Sequence, residues 1–507
     1  MWMLINLNDF WINMPEAENI FDFSIKMDSG HPRSVQIYSW LHKLIVAGDL
    51  PVGARILSSR ELSRRVGCSR NTVLRAYDQL IAEGYLETQA GFATIVCPHQ
   101  PDKKLADNLR RDPTSVRPKP VAPRLSAFGE RLVELEKQVI DRRRPAFAES
   151  QPDVAEFPFD IWARITNRIW RRPAPDLLHG YDRLGYHGLR SAISRDLLPR
   201  RGFDAPAESV LITSGGSHAI ELVSRFLLDP GDQVAVEDPG YLGWRVLSAL
   251  GFDVVPIPLD NDGIRVDLIP QLAPRTKLIA VTPSHQMPTG VVMSARRRAE
   301  LLDYAESSQA WVIEDDYDAD FRYSGLPLSS LKARDNTDRV VYVGTFSKII
   351  FPTLRLGYVV ANSELIGRWS RARTFLDCFS SVPMQPVLAA FIDEGHYERY
   401  RRRLRRLYWR RQHRLIELTD QFLAGYIKLK PSDAGMHVLG ELGENWPASL
   451  SDAEFALMAD RVGITLRPLS DYYQLPLKRQ GFIFGYGAVP EGVMEKEIMK
   501  IASILPP

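Results

Sequence analysis

Cysteine is scarce in this sequence of 507 residues: Cys68, Cys97 and Cys378 are widely spaced and odd in number. Such a set excludes a disulfide framework and lacks the ligand spacing of a zinc site, so we expect no metal centre and a reducing cytoplasm. Uninterrupted apolar runs of about 18 residues are also missing, so neither a spanning helix nor a membrane partner is predicted. Residues 1–15 are apolar but have no basic n-region and no cleavage pattern, and they do not predict a signal peptide.

The net charge is nearly balanced, at +2, and therefore indicates no partner by itself. Whether the protein binds nucleic acid must therefore be inferred from the positions of its basic residues. Hydrophobic residues make up 45% and charged residues 25%, the mixture of a folded globular protein, and the length favours two or three domains. The first thirty or so residues carry no pattern that predicts a structure.

Three helices and a hairpin are predicted near the N-terminus, because apolar residues recur at helical spacing and serines stand at the helix starts. The predicted elements are, in chain order, a helix over 37–46, a short helix that is capped around Ser58 and ends at Gly67, a helix over 70–83 capped by Ser69, and a hairpin of 85–88 and 92–96. This succession is typical of a helix-turn-helix followed by a wing.

The third predicted helix begins with side chains suited to reading bases. Arg70 can pair with guanine and Asn71 with adenine in the major groove, and Arg75 lies one turn later on the same face. The predicted core residues on its other side are Val73, Tyr77, Leu80 and Ile81. An ordinary solvated basic face is the alternative, and for an isolated basic helix it is the favoured one.

The order of these elements weighs against that alternative. The stretches SSREL at 58–62, SRNTV at 69–73 and EGYL at 83–86, with a glycine turn at Gly91, closely resemble the GntR-type winged helix-turn-helix over residues 34–97. The resemblance implies binding to a double-stranded DNA operator. It implies DNA contacts from Ser59, Arg60, Ser69, Arg70, Thr72, Arg75 and Gly91.

A change of composition follows this segment. Residues 98–124 contain six prolines and seven basic residues without a periodic apolar pattern, which predicts an extended linker. Downstream, short apolar runs alternate with helical stretches, which is typical of a largely parallel sheet. The predicted strands are 210–212, 234–236, 278–281, 311–313 and 340–343.

Three stretches after such strands carry candidate chemistry. A helix is predicted to begin within TSGGS at 213–217, and its first N–H groups could hold a phosphate. The carboxylates of IEDDY at 313–317 could belong to a metal site or to a loop. The third stretch, GTFSK at 344–348, ends in a lysine, which by itself would be an ordinary solvated side chain. Together, with Arg355, they resemble fold-type-I aminotransferases over 125–507. The resemblance implies an α/β domain with a large, mixed, mainly parallel sheet, a small C-terminal domain, and pyridoxal 5'-phosphate as cofactor.

The resemblance also implies the role of each residue. Lys348 is implied to form the internal aldimine, and Asp315 to pair with the pyridinium nitrogen, a role for which Asp316 is the alternative. Tyr317 is implied to form a hydrogen bond to the phenolic oxygen, and Tyr241 to stack on the ring. The implied phosphate ligands are Gly216, Ser217, Thr345, Ser347 and Arg355.

The fusion of the two halves resembles the MocR (GabR-like) regulators. It implies a homodimeric transcription regulator that binds two DNA half-sites and senses a small amino acid or similar compound by external aldimine formation. Met287 stands where many aminotransferases have Asn, which favours sensing over the alternative, an aminotransferase with a DNA-binding appendage. A DNA-binding protein that has lost its cofactor is disfavoured because the lysine, aspartate, tyrosine and arginine are all present.

Two further basic features leave alternatives open. Arg467 lies in a strand-like segment resembling the place of the family's carboxylate-binding arginine, and a surface salt bridge is an equal alternative. The nine arginines of residues 399–414 predict the charged outer face of a long amphipathic helix, with a second DNA-binding surface as the weaker alternative.

Overall fold

The structure is a computed structural model that divides into two compact units, Met1–Pro123 and Arg124–Pro507. It describes residues 23–25, 30–89, 93–98, 124–136, 146–179, 182–318, 320–323, 329–476 and 479–505. Within these ranges, no helix is both long enough and apolar enough to cross a membrane.

The smaller unit contains three helices and a two-stranded antiparallel hairpin. They are α1 (Arg33–Ala47), α2 (Ser59–Arg65), α3 (Arg70–Ala82), β1 (Leu86–Gln89) and β2 (Ala93–Val96). Serine caps begin α2 and α3: the Ser58 side chain accepts from the Glu61 N–H, and the Ser69 side chain from the Thr72 N–H. The predicted succession of elements is confirmed.

The core of this unit lies between the three helices. Val73, Tyr77 and Leu80 of α3 are buried as predicted, but Ile81 is 36% exposed, and its assignment to the core was wrong. Ile81 follows Leu80 directly, which places it at the rim of the apolar stripe rather than along its centre.

The larger unit is built around an eight-stranded sheet. Its strands are β3 (Val210–Thr213), β4 (Gln233–Asp238), β5 (Asp253–Asp260), β6 (Gly263–Ile264), β7 (Thr276–Val281), β8 (Trp311–Asp315), β9 (Val340–Thr345) and β10 (Gly357–Val360), in the order β3-β10-β9-β8-β7-β4-β5-β6. Strands β5, β4, β7, β8 and β9 are parallel to one another, whereas β10 is antiparallel to both β3 and β9, and β6 is antiparallel to β5. All five predicted strands lie within this sheet.

Helices cover both faces of the sheet, so its central strands are buried and mainly apolar. Leu278 and Ala280 of β7 pack into one hydrophobic cluster, and the alternate residues Ile279 and Val281 pack into another. The helices of this unit are α4 (Ala127–Glu136), α5 (Phe159–Trp170), α6 (His187–Arg201), α7 (Gly216–Leu227), α8 (Arg245–Ala249), α9 (Ile269–Leu272), α10 (Ala295–Ser308), α11 (Ser363–Arg373), α12 (Gln385–Asp393), α13 (His396–Phe422), α14 (Asp452–Arg461) and α15 (Glu491–Ala502).

A smaller antiparallel sheet forms the C-terminal part. Its strands are β11 (Ile427–Lys430), β12 (His437–Leu442), β13 (Arg467–Pro468) and β14 (Gly481–Gly485), in the order β11-β12-β14-β13. A winged helix-turn-helix unit, a large mixed and mainly parallel sheet, and a small C-terminal sheet together make up the predicted fold class.

The arginine-rich stretch is the long amphipathic helix α13. Leu404, Tyr408 and Leu415 are buried along its inner face. Ion pairs engage Arg401, Arg402, Arg403, Arg410, Arg411 and Arg414. Arg411 is buried and is not part of an outer face, whereas the pairing of the exposed arginines with carboxylates favours the outer-face interpretation over a second DNA-binding surface.

Candidate functional site

A cavity of about 140 Å³ opens where strands of the large sheet reach their carboxyl ends. Open α/β sheets place their ligands at this edge. The cavity is lined by all nine residues that the sequence predicts for the cofactor: Gly216, Ser217, Tyr241, Asp315, Tyr317, Thr345, Ser347, Lys348 and Arg355. These residues lie at the ends of four different strands, β3, β4, β8 and β9, or shortly after them, and the topology brings them together.

One end of the cavity is suited to a phosphate. Gly215 has φ +101°, which favours glycine, and a Cβ there would lie 3.3 Å from Nη1 of Arg355, so a side chain at this position would press on the guanidinium. Helix α7 begins at the next residue, Gly216, and its first N–H groups have no partner within the helix. A hydrogen bond stabilises the loop before this helix: the Ser214 N–H donates to Nδ1 of His218 over 3.0 Å. Arginine and a helix N-terminus together form an anion cradle.

A carboxyl and an amine, those of Asp315 and Lys348, lie close together in the cavity lining. Burial, and the nearby Asp316 carboxyl, raise the pKa of Asp315 to about 7, and Lys348 acts in the opposite direction. The ionised form of a desolvated carboxyl is stabilised most by a neighbouring cation. A protonated ring nitrogen beside Asp315 would be such a cation. Nζ of Lys348 donates to the backbone oxygen of Ser150 over 3.2 Å.

The neighbouring aspartate points elsewhere. Oδ2 of Asp316 lies 2.5 Å from Nε of Arg201 and accepts from the Tyr342 hydroxyl, also over 2.5 Å. Asp316 is therefore held in a buried structural network, and Asp315 is the member of the pair that lines the cavity.

Tyr317 and Met287 line the cavity side by side. The Tyr317 hydroxyl donates to the backbone oxygen of His285 over 3.1 Å and lies 3.9 Å from the sulfur of Met287. His285 is in turn held by Asp318, at 2.8 Å from Nδ1 to the carboxylate. A thioether has no hydrogen to donate, so Tyr317 is the hydroxyl donor on this side.

These residues fit pyridoxal phosphate by the chemistry of their donor set. The cradle suits the phosphate, Asp315 the ring nitrogen, Tyr317 the phenolic oxygen, the Tyr241 ring a flat aromatic face, and Lys348 the aldehyde.

Arg467 does not line the cavity but lies directly behind a residue that does. Its buried guanidinium is 3.2 Å from the Asp471 carboxylate and 3.9 Å from that of Glu149, which faces the cavity. Arg467 is thus a buried ion-paired residue on strand β13, and the surface alternative does not describe it.

Five further residues that the sequence did not indicate also line the cavity: Glu149, Ser150, Gln151, Ile220 and Pro352. Ile220 lies four residues after Gly216, so the helical repeat of α7 could have indicated it. Glu149, Ser150 and Gln151 lie some sixty residues before the first strand of the sheet, and only the tertiary fold brings them to the cavity.

The predicted DNA-binding residues cluster at the start of α2 and α3. Arg60, Arg70 and Arg75 are exposed, and Nε of Arg70 donates to the Ser59 hydroxyl over 3.1 Å, which joins the two helices. Ser69 caps α3, with the half-buried Thr72 beside it. Gly91 lies outside the described residues.

Comparisons with known proteins agree with both units. Residues 33–96 match the model of the bacterial regulatory proteins of the gntR family, and residues 167–478 match that of aminotransferase class I and II. The chain is 35% identical to a probable rhizopine catabolism regulatory protein, MocR, of Rhizobium meliloti over 94% of each chain. It is 30% identical to the pyridoxine biosynthesis transcriptional regulator PdxR of Corynebacterium glutamicum, over 95% of this chain and 98% of that one.

Among solved structures, an archaeal alanine:glyoxylate aminotransferase matches 75% of this chain and 96% of its own, with a TM-score of 0.66 and 26% identity. A Pyrococcus horikoshii kynurenine aminotransferase, solved with the cofactor's amine form, matches with a TM-score of 0.65 and 27% identity, over 75% of this chain and 94% of that one. The chain therefore belongs to the MocR family of HTH-type transcriptional regulators, in which a GntR DNA-binding domain is joined to an aminotransferase-like domain that binds pyridoxal phosphate.

Proposed function

We propose that this protein regulates transcription by sensing a small primary amine that also carries an acidic group. The observation that carries the proposal is one cavity lined by all nine cofactor residues, in a chain that also contains a GntR domain. When bound, pyridoxal phosphate supplies an aldehyde that combines reversibly with primary amines. A cofactor of this chemistry recognises amines as a class.

The chain's own residues hold and tune the site. Lys348 would supply the amine that holds the cofactor, Asp315 would face the ring nitrogen, Tyr317 would face the phenolic oxygen, and Tyr241 would cover the ring face. Gly216, Ser217, Thr345, Ser347 and Arg355 would hold the phosphate. An amine effector would compete with the Lys348 amine for the same position, and a released Lys348 would be free to change its contact with the Ser150 oxygen.

Arg467 is the proposed partner of the effector's acidic group. Its planar fork suits a carboxylate or sulfonate, and its neighbour Glu149 faces the cavity. We therefore propose an amino acid, an ω-amino acid or an aminosulfonate as effector.

A working aminotransferase is the second candidate, because the lysine, aspartate, tyrosine and arginine needed for that chemistry all line the cavity. Met287 favours sensing, since it offers no hydrogen bond donor to the cofactor's phenolic oxygen. Incubating the purified protein with amino acids and a keto acid acceptor separates the two. We expect no sustained keto acid production, and turnover at an enzyme-like rate would establish the second candidate instead.

Assembly belongs to the same proposal. We propose a homodimer whose two winged helices bind two operator half-sites, with domains at 34–97 and 125–507 joined by the linker 98–124. Residues 99–123 of that linker lie outside the described residues. The three cysteines are free thiols, which suits a DNA-binding protein of the reducing cytoplasm.

Replacing Arg467 with alanine should weaken the response to amino acids selectively. We expect the concentration of amino acid that half-saturates the change in the visible cofactor spectrum to rise about tenfold or more, because truncating one member of a buried charge pair typically costs at least 1.4 kcal/mol. The response to a matched amine without an acidic group should stay unchanged. Arg479→Ala removes an exposed arginine from the same part of the unit and serves as the control. An intact amino acid response in Arg467→Ala would end the acidic-effector model.

A further inference from the structure

Residues 146–153, hereafter the strap, form part of the wall of the cavity. The strap is anchored at both ends: the Phe147 oxygen accepts from Gly485 N–H over 2.8 Å, and the Asp153 carboxylate lies 2.6 Å from Arg411. Between these anchors, Glu149, Ser150 and Gln151 line the cavity. The residues that line the cavity thus lie between two anchored ends.

The middle of the strap contacts both groups that the proposed effector needs. The backbone oxygen of Ser150 accepts from Nζ of Lys348 over 3.2 Å, and the Glu149 carboxylate lies 3.9 Å from Nε of Arg467. Ser150 has φ +57°, a conformation that residues other than glycine seldom adopt. The contacts of Ser150 with Lys348 and of Glu149 with Arg467 therefore stabilise a segment whose backbone is strained at Ser150.

The surroundings of Arg467 offer a further donor for an acidic group. The Tyr472 hydroxyl is buried and, among the described residues, finds no hydrogen bond partner, although Glu149, Arg467 and Asp471 are its charged neighbours. A buried hydroxyl without a hydrogen bond partner lowers the stability of the folded protein, and a ligand that accepts its hydrogen bond removes this cost. The guanidinium of Arg245 donates to the backbone oxygen of Asp471.

The formal charges of this cluster already include more carboxylates than arginines. Arg245 and Arg467 contribute two positive charges, and Glu149, Asp471 and Asp238, which acts on Arg245, contribute three negative ones. An additional acidic group from a ligand would increase the excess of negative charge, and like charges repel strongly in a site of low dielectric. Of the two carboxylates paired with Arg467, Glu149 has the longer distance to it and lies on the strap. It is the carboxylate that can leave.

We propose that Glu149 determines effector specificity as the internal counter-ion of Arg467, which the acidic group of the effector displaces while the Tyr472 hydroxyl donates to it. This inference rests on the function proposed above and deepens it. An amine with an acidic group releases both contacts of the strap, whereas a plain amine releases only the one at Lys348.

The test compares Glu149→Gln with the native protein in cofactor spectral titrations. The probes are a panel of α-amino acids, ω-amino acids and aminosulfonates, each with a matched amine that lacks the acid. We expect Glu149→Gln to bind the responding acids about tenfold more tightly, since a competing carboxylate is gone, and to bind the plain amines as before. Glu444→Gln, at an exposed position, should change neither. Tyr472→Phe should weaken binding of the acids alone, with its cofactor spectrum and unfolding temperature as folding checks.

The outcomes separate this inference from the proposed function. If Glu149→Gln binds acids no more tightly while Arg467→Ala loses them, Glu149 is no competitor and the inference fails, although acid recognition by Arg467 stands. If Glu149→Gln tightens acids and plain amines alike, its effect is not specific to Arg467 and the inference fails as well. If no amine of the panel changes the spectrum of the native protein, the proposed function fails and the inference with it.

Discussion

Replacing Lys348 with alanine should abolish covalent attachment of the cofactor. Lys348 is the lysine among the residues that line the cavity, and an imine bond to the cofactor requires a neutral amine at this position. We expect the native protein to be yellow and to retain a pyridoxyl group on the peptide containing Lys348 after borohydride reduction. The variant should lose both properties, a complete loss rather than a graded one.

Controls make this result specific. Lys428→Ala, at an exposed position of β11, should leave the visible band and the labelled peptide unchanged. The phosphate cradle does not involve the lysine amine, so Lys348→Ala should still bind the cofactor without a covalent link when it is supplied in excess. A borohydride-reducible lysine that persists in the cavity of Lys348→Ala would show that the residue has been assigned wrongly.

Replacing Arg70 with alanine should weaken operator binding and relax its sequence preference at one base position. A bidentate arginine contact to guanine contributes about 1–3 kcal/mol to base discrimination, which becomes about 2–6 kcal/mol if a homodimer uses it at both half-sites. Binding to duplexes selected from random DNA, with every base of the site varied in turn, measures both effects at a fixed salt concentration.

Arg70 also has a structural contact, which the same experiment must separate. Its Nε donates to the Ser59 hydroxyl, so part of the loss could come from the joint between α2 and α3. Ser59→Ala removes that hydrogen bond and keeps the guanidinium. If Ser59→Ala alone relaxes the preference at the same base as Arg70→Ala, or if the preference of Arg70→Ala is unchanged, direct readout by Arg70 is refuted.

Local signals in the sequence account for what could be predicted. The helix starts at Ser58 and Ser69 follow from capping by serine, and the buried strands follow from continuous apolar runs such as 278–281. Chemistry placed directly after those strands, as at Asp315 and Lys348, meets at one sheet edge because parallel strands end together. For that reason, most of the residues that line the cavity could be predicted from the sequence.

Features that depend on tertiary contacts could not be predicted in this way. Strand β5 contains Pro256 and Pro258, which argue against a strand, and it is tolerated near the edge of the sheet. The choice between Asp315 and Asp316 depends on Arg201, which comes from a distant helix. Glu149 likewise reaches the cavity through the strap, whose position no local pattern encodes.

The central claim is that an amine bound in the cavity alters DNA binding by the same molecule. The most direct test measures the affinity of the native protein and of Lys348→Ala for a selected operator, with and without an amino acid that changes the cofactor spectrum. The account predicts a change of about tenfold or more in the native protein, which corresponds to roughly 1.4 kcal/mol of coupling, and no change in Lys348→Ala. An equal change in both proteins, or an unchanged affinity in a native protein whose spectrum responds fully, would contradict it.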